Sequence, residues 1–323
     1  MIGAMRNSVS FPTVLVMSAT VLVTACGRVE QPAEDVFTVR MLTSHTLSGR
    51  WERAAEKGLG LIASELDAEV GRLRVDGPTS ARTRLAEQGG AGVDLVFCVG
   101  ACDERLLYAE AAAWPGTVYM VLPGDVSAHN VGGVRFLPEE VGYLAGAVVG
   151  AVALDDRVGL IRGEGQPWLD VLEEGFIAGF RARRRRGVVE TADGPNGIEQ
   201  LSSLGIHHAL YACDRPDPAV LAAARDAGML LVATDPELIG AEPDLIMAAV
   251  EVNVPEAMLR VAREVRDGIF VGRVYSFDLG SGVLDVRINP DLEPGLLASA
   301  SEALELARSE VTAGLVEFDG LGL

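Results

Sequence analysis

Lysine is nearly absent from this chain of 323 residues, and basic residues as a group are few. Lys57 is the single lysine, and 27 basic residues face 46 acidic ones, which gives a formal net charge of −19 at pH 7. Binding to nucleic acid draws on clustered cations that neutralise phosphates. The charge balance therefore argues against a nucleic-acid partner. It is compatible with a neutral or cationic small ligand, and most of it is expected to be a solvated acidic surface.

Cysteine and histidine are also scarce, with four of each. Cys98 and Cys102 are separated by three residues in CVGAC, which is not a zinc-knuckle spacing, and no histidine pair accompanies them. His207 and His208 are adjacent, so on a strand their side chains point to opposite faces. We expect no metal site and no cofactor. Cys98, Cys102 and Cys213 are interpreted as small buried side chains.

Motifs for catalysis are missing as well. The chain has no G-x-S-x-G, HExxH or Walker loop. Acidic pairs such as Asp155-Asp156 and Glu173-Glu174 fall on turns or exposed helix positions, without a neighbour that would tune one of them for acid–base work. An enzyme is therefore not expected.

The first 25 residues are predicted to be a targeting segment and not part of the fold. Arg6 supplies a positive start, and Phe11 to Val23 is a mostly apolar stretch too short to span a membrane as a stable helix. It leads into Val-Thr-Ala-Cys, which resembles a bacterial lipoprotein signal, so Cys26 is expected to carry the lipid (palmitate among its acyl chains) and residues 26–35 to form a polar tether. The alternative is an ordinary signal peptide with a chance cysteine. The predicted location is the cell membrane, lipid-anchored, facing the periplasm or the exterior.

Strand and helix patterns alternate along the rest of the chain. Residues 36–136 form a first run of alternating strands and helices. A second run, which extends to about residue 267, repeats this spacing without repeating the sequence. Alternation of this kind is typical of parallel sheets covered on both faces. We predict two lobes with a cleft between them. Lobe 1 comprises 36–136 plus about 253–275, and lobe 2 comprises 137–252 plus about 276–323.

Polar residues and glycines collect where the predicted strands end, the place where parallel sheets bind ligands. Trp51 and Trp168 each begin a helix after such a loop, and one aromatic ring from each lobe could sandwich a heterocycle; the alternative for each is packing. Asp235 could accept hydrogen bonds from sugar hydroxyls or cap its own loop. Asp103 could hold a base or an amine, or could cap the helix that begins at Glu104.

The segment Gly163 to Trp168, GEGQPW, has part of the pattern of a dinucleotide-binding turn. It follows a strand and opens a helix, and Glu190 ends the next strand, where a ribose-binding acid would stand. Trp168, however, occupies the place of the third glycine, which normally lets the helix and strand pack closely. Binding of a nicotinamide cofactor is therefore not expected.

The run that starts at Asn130, NVGGVRFLPEEVGYLAG, and continues through VGLIRGEG and EEGFIAGF resembles the basic membrane protein family of bacterial lipoproteins. Further matches lie at Asp94–Gly100, Thr234-Asp235 and Asn253-Val254, so the resemblance covers about residues 36–290. It implies an α/β type I periplasmic-binding-protein fold, with two Rossmann-like lobes, parallel sheets and a hinged cleft. Members resemble substrate-binding proteins of ABC importers, several of which bind purine nucleosides.

The resemblance also implies a set of ligand-binding positions. Trp51 stands at the base-stacking aromatic, Asp103 near the base-contacting acid, and Asp235 at the ribose-binding aspartate. The family's ribose-binding lysine falls near Val252, where this chain has no lysine. The full predicted ligand-binding set is Ser48, Trp51, Glu52, Asp103, Trp168, Asp235 and Glu251.

The leading hypothesis is a lipid-anchored substrate-binding protein that captures a small polar ligand, with a purine nucleoside expected, and presents it to an ABC permease. The alternative is a non-transporting surface or sensory lipoprotein that retains the fold with altered or lost ligand binding. The missing lysine motivates this alternative.

Overall fold

The computed structural model describes residues 36–44, 49–100, 102–165 and 167–318. The predicted signal segment, the lipidation site Cys26, the tether and Ser48 lie outside these residues. None of the helices in the described ranges combines the length and the apolar content that crossing a bilayer requires.

Thirteen strands are present in the described ranges. They are β1 (Thr38–Ser44), β2 (Glu69–Val75), β3 (Leu95–Val99), β4 (Val118–Leu122), β5 (Ser127–Ala128), β6 (Val131–Phe136), β7 (Arg157–Arg162), β8 (Val188–Asp193), β9 (His208–Ala212), β10 (Leu230–Ala233), β11 (Ile246–Val252), β12 (Val274–Phe277) and β13 (Leu284–Ile288). They form two sheets, in the orders β12-β6-β4-β3-β1-β2, with β5 on β6, and β13-β11-β10-β9-β7-β8.

The two sheets share one topology. In each, the first strand lies between the second and the third, and later strands add outward on the same side. All pairs are parallel except β5 with β6 and β13 with β11. The repeated architecture that the sequence predicts without a sequence repeat is therefore present in the five strands of each order other than the edge strands β12 and β13. These edge strands differ, because β12 is parallel to β6 and β13 is antiparallel to β11.

Ten α-helices connect and cover these sheets. They are α1 (Gly49–Leu66), α2 (Pro78–Gly90), α3 (Glu104–Ala113), α4 (Pro138–Val152), α5 (Trp168–Arg183), α6 (Gly194–Ser203), α7 (Pro218–Asp226), α8 (Leu238–Ala241), α9 (Val254–Arg266) and α10 (Pro294–Thr312). Proline occupies the first turn of several of them, where its missing N–H is not needed.

The chain passes between the two sheets three times. It leaves the first sheet after β6, returns after β11, and leaves again between β12 and β13. Helix α9 then packs on α1, and α10 packs on α4, so each late helix covers the lobe that its neighbouring strand joins. Because the chain crosses between the sheets at the ends of strands, the cleft between the lobes lies beside these strand ends.

Helices α4 and α5 approach each other unusually closely. Glycines on both helices make this possible: a Cβ at Gly142 would stand 2.1 Å from the Leu172 carbonyl oxygen, and one at Gly146 would stand 2.0 Å from that of Phe176. Gly175 and Gly179 face α4 in the same way. The small residues that the sequence shows along α4 thus serve backbone-to-backbone packing within the second lobe.

Candidate functional site

The two lobes meet through a buried carboxylate. Asp214 follows β9 in the second lobe and is only 2% exposed. Its Oδ1 accepts a hydrogen bond from the Trp51 indole nitrogen of α1, at 3.2 Å, and another from the Trp168 indole nitrogen of α5, at 3.1 Å. Hydrogen bonds to an ionised acceptor are stronger than neutral ones. Asp214 therefore ties α1 of the first lobe to two elements of the second.

The turn after β7 explains why Trp168 reaches Asp214. The Gly163 amide donates to the Ala212 carbonyl at 2.8 Å, and the Asp214 amide donates to the Glu164 carbonyl at 2.9 Å. This pairing extends the β7–β9 ladder into the two loops. Gly163 is required there, because a Cβ would stand 2.5 Å from the Cys213 Cβ. The helix that starts at Trp168 therefore begins beside Asp214.

An aromatic compartment of about 410 Å³ opens next to this contact. Its apolar wall consists of Trp51, Phe136, Trp168, Val171, Val252 and Leu284. Trp51 and Phe136 have ring centroids 5.7 Å apart, and Phe136 stacks on Phe277 at 6.0 Å. Both lobes contribute side chains, as a ligand-binding cleft requires, and the volume falls within the range of about 300–1,000 Å³ usual for small-molecule sites.

A charged compartment of about 190 Å³ adjoins the first, and Val252 lines both. One wall is a face of α1 that carries Arg50, Arg53 and Lys57. The opposite wall carries Asp235, Glu237 and Glu251 of the second lobe. Lys57 pairs with Glu237 at 3.0 Å, and Arg53 lies 3.6 Å from Asp235. Three cations therefore face three carboxylates across the cleft.

Arg50 is the most deeply buried of these cations, at 9% exposure. Its guanidinium carbon lies 5.1 Å from the centre of the Trp168 ring and 5.9 Å from that of Trp51. Burial lowers the pKa of Arg50, and attraction to Asp214 and Asp235 offsets part of that shift. Within the described ranges, its Nη1 has no hydrogen-bond partner.

Asp235 lies at the end of β10, 5% exposed, on the wall of the charged compartment. Its Oδ1 accepts the Glu237 amide at 3.0 Å, so it also caps its own loop. Asp235 therefore caps its loop, as the structural interpretation states, and its role toward a ligand stays a prediction. Buried Thr234 fixes the loop, because its hydroxyl accepts the Cys213 amide at 2.9 Å.

Two predicted site residues face away from both compartments. Glu52 binds Arg72, and also Arg74 at 2.6 Å, on strand β2. Successive helix positions point about 100° apart, so a helix that turns Trp51 into the cleft turns Glu52 out of it. Asp103 caps α3 by accepting the Leu106 amide at 3.1 Å, which is the helix-cap alternative stated above.

The two tryptophans do not form the expected sandwich in this structure. Their ring centroids are 5.7 Å apart and their planes are nearly perpendicular, at 86°. No heterocycle fits between rings that already touch edge to face. The reason is Asp214, which holds both indole nitrogens at one oxygen, so the rings line one cavity side by side.

The three cysteines in the described ranges are free. Burial raises the pKa of the Cys213 thiol to about 12, and a hydrogen bond with the Cys102 side chain, together with burial, raises the pKa of Cys98. Cys98 and Cys213 are therefore protonated and act as the small buried side chains that the sequence predicts. In the part of the chain that the structure describes, no group of three His, Cys, Asp or Glu side chains is placed to hold a metal ion.

The cleft residues that the predicted ligand-binding set lacks include Arg50, Phe136 and Asp214. A signal for Arg50 exists, because Arg50, Arg53 and Lys57 stand at positions i, i+3 and i+7 and so share one face of α1. Asp214 stands two residues past the end of β9, just as Asp235 stands two residues past the end of β10, so both carry the same strand-end signal. Nothing in the sequence separates Phe136 from a core residue.

Comparisons with known proteins agree with this architecture. A family model described as Bmp, ABC transporter substrate-binding protein PnrA-like, matches residues 44–196. A solved transcriptional activator of the comK gene from Bacillus halodurans is 20% identical, covers 86% of this chain and 98% of its own, and has a TM-score of 0.72.

Two solved ABC solute-binding proteins are similar as well. That from Conexibacter woesei is 16% identical, with 89% and 100% of the two chains covered and a TM-score of 0.69. That from Aeropyrum pernix K1 is 16% identical, with 87% and 93% covered and a TM-score of 0.68. No curated protein matches the sequence. The predicted type I periplasmic-binding-protein fold, with two α/β lobes, is confirmed.

Proposed function

We propose that this chain, whose residues 44–196 match the Bmp family model, serves an ABC importer by capturing a purine nucleoside in its cleft and presenting it to the permease. The observation that carries this proposal is the junction of an aromatic compartment with a charged one, at Val252, between the two lobes. A flat bicyclic base suits the first compartment, because aromatic side chains bury such rings favourably. Ribose hydroxyls, which both donate and accept, suit the second.

Closure of the lobes follows from the same contacts. A ligand that touches Trp51 in the first lobe and Trp168 or Asp235 in the second is bound better by the closed state than by an open one. The ligand shifts the equilibrium between the open and closed states toward the closed state by that difference in binding free energy. The permease would then distinguish loaded from empty receptor by the closed shape.

Asp235→Asn is expected to weaken nucleoside binding about 10-fold or more, measured by isothermal titration with inosine, guanosine and adenosine. The amide oxygen can still cap the loop at Glu237, so the change removes a charged acceptor while sparing the fold. Asp125→Asn is the control, because Asp125 lines the aromatic compartment but pairs with Arg135 near solvent. Equal affinities for wild type and Asp235→Asn would remove Asp235 from the site.

Mass spectrometry of the small molecules released when the purified protein is denatured tests the nucleoside directly. Recovery of a purine nucleoside in stoichiometric amount would support the proposal. Recovery of another solute would support the role as a receptor and would contradict the proposal that the ligand is a nucleoside.

We also propose that Cys26 anchors the protein in the membrane by its lipid. Each buried acyl CH₂ adds about 0.8 kcal/mol of membrane affinity, so more than one chain holds the protein firmly. In a bacterial host that processes lipoproteins, Cys26→Ser is expected to abolish incorporation of labelled palmitate and release the protein from the membrane fraction. Cys102→Ser is the control. Labelling that persists in the Cys26 variant would place the lipid elsewhere or exclude it.

A second candidate is a surface or sensory lipoprotein that does not transport. Glu52 is engaged with Arg72, and Asp103 with the Leu106 amide of α3, away from the cleft. Glu251 adjoins Val252, where the family resemblance implies a lysine that this chain lacks. A panel of purine nucleosides that leaves the melting temperature unchanged would favour this candidate.

A further inference from the structure

The cations on the α1 wall of the charged compartment differ in how they are satisfied. Lys57 and Arg53 are more than half and about half exposed, and they reach Glu237 and Asp235 across the cleft. Such exposed ion pairs contribute little to stability. Arg50, by contrast, is nine-tenths buried, lines the same compartment, and leaves its Nη1 without an acceptor among the described residues.

The carboxylates of the opposite wall show the same division. Asp235 and Glu237 are paired with cations of α1. Glu251, near the end of β11, is half-buried and forms no hydrogen bond or ion pair through its side chain in the ranges that the structure describes. One donor group and one acceptor group thus remain unused, on opposite sides of one small cavity.

Uncompensated groups of this kind indicate the chemistry of what completes them. A guanidinium donates hydrogen bonds and accepts none, whereas an ionised carboxylate only accepts. Leaving a buried donor unsatisfied costs free energy, so an oxygen acceptor at Arg50 is favoured. A further full negative charge is opposed by Glu251, Asp235 and Glu237, and a full positive charge by Arg50, Arg53 and Lys57.

We propose that Arg50 and Glu251 determine the net charge of the ligand: it is electrically neutral, and it presents an acceptor oxygen to Arg50 and a hydrogen-bond donor to Glu251. This inference rests on the proposed function in that it places a small solute in this cleft. It adds Arg50 to the site, gives Arg50 and Glu251 a role in specificity, and excludes phosphorylated and other net anionic forms of that solute.

The first test compares inosine with inosine 5′-monophosphate, which share a base and a sugar, by isothermal titration. Wild type is expected to bind inosine at least about 100-fold more tightly than the monophosphate. Arg50→Gln should weaken inosine binding about 10- to 100-fold, the loss expected for a hydrogen bond from a charged donor. Glu251→Gln should reduce the ratio between the affinities for inosine and for the monophosphate. Equal affinity of wild type for both compounds would overturn the proposal.

The second test does not depend on a nucleoside and uses inorganic phosphate at matched ionic strength. Removal of the Glu251 charge leaves three cations facing two carboxylates in this compartment, so phosphate should raise the melting temperature of Glu251→Gln by about 2 °C or more. Wild type and the exposed control Glu199→Gln should show no such rise. The double variant Arg50→Gln with Glu251→Gln should lose it.

The two tests separate the two proposals. If wild type does not bind inosine, the proposal of a nucleoside ligand is rejected. The phosphate series then tests by itself the roles assigned to Arg50 and Glu251. Phosphate that stabilises wild type as well as Glu251→Gln, or that stabilises the double variant, contradicts the assignment of Arg50 and Glu251.

Discussion

Gly146→Ala is expected to destabilise the protein by about 3 kcal/mol, because a single methyl group would enter the backbone of the facing helix. The new Cβ would stand 2.0 Å from the Phe176 carbonyl oxygen and 2.7 Å from the Phe180 amide nitrogen. Neither atom belongs to a flexible side chain, so α4 and α5 must separate. Overpacking of a core typically costs about 1–3 kcal/mol, and backbone contact places this site at the upper end.

Chemical denaturation of the purified protein measures this effect. Gly60→Ala is the matched control, since Gly60 is exposed on α1 and an added Cβ there meets no atom within 4 Å. Alanine favours a helix interior by up to about 1 kcal/mol over glycine, so this variant should unfold at an equal or higher denaturant concentration. If Gly146→Ala unfolded at the wild-type midpoint, the close packing of α4 on α5 would be wrong.

Asp214→Ala is expected to open the cleft and to lower stability by about 3 kcal/mol. The substitution leaves the indole nitrogens of Trp51 and Trp168 without their acceptor, and it removes the carboxylate that most strongly attracts buried Arg50. Removal of one partner from a buried charged group costs about 3–5 kcal/mol in comparable cases. Because Trp51 and Asp214 belong to different lobes, part of this loss falls on closure.

Small-angle scattering and thermal unfolding together test this prediction. The radius of gyration should increase, the melting temperature should fall, and tryptophan emission should shift to the red as the indoles meet water. Asp214→Asn should show a smaller effect, because it keeps an acceptor oxygen and loses the charge. Glu237→Gln, which breaks an exposed link between the lobes, should change each quantity little. Unchanged scattering in Asp214→Ala would show that closure does not depend on this residue.

Elements with a strong local signal agree with their sequence-based bounds. The sequence predicts a helix over 104–113 and strands over 118–122 and 131–136, and these are the bounds of α3, β4 and β6. Most of these boundaries have a glycine, a proline or a helix-capping aspartate nearby. Strand β13 lies within residues 269–320, where the sequence indicates only a mixture of short strands with one helix. It lies antiparallel to β11, and a pairing between distant strands leaves no local pattern to read.

The site was predictable in part. Trp51, Trp168, Asp235 and Glu251 line the cleft. The loops at strand ends indicate the first three, and the family resemblance near Val252 indicates Glu251. Glu52 and Asp103 carry equally suitable side chains next to equally suitable loops. A polar group after a strand can serve a ligand, a helix terminus or a neighbouring strand, and only the orientation of its side chain distinguishes these uses.

The sequence alone determined the two-lobed α/β architecture, the glycines that let α4 lie on α5, and the scarcity of cations. These properties depend on periodicity and composition, which can be determined without knowing which residues are in contact. The tertiary structure alone decided that Asp214 joins Trp51 to Trp168, and that Arg50 and Glu251 face one cavity without partners. Those relations bring together side chains about 40 to 200 residues apart, and their energies depend on distance and burial, which no linear pattern specifies.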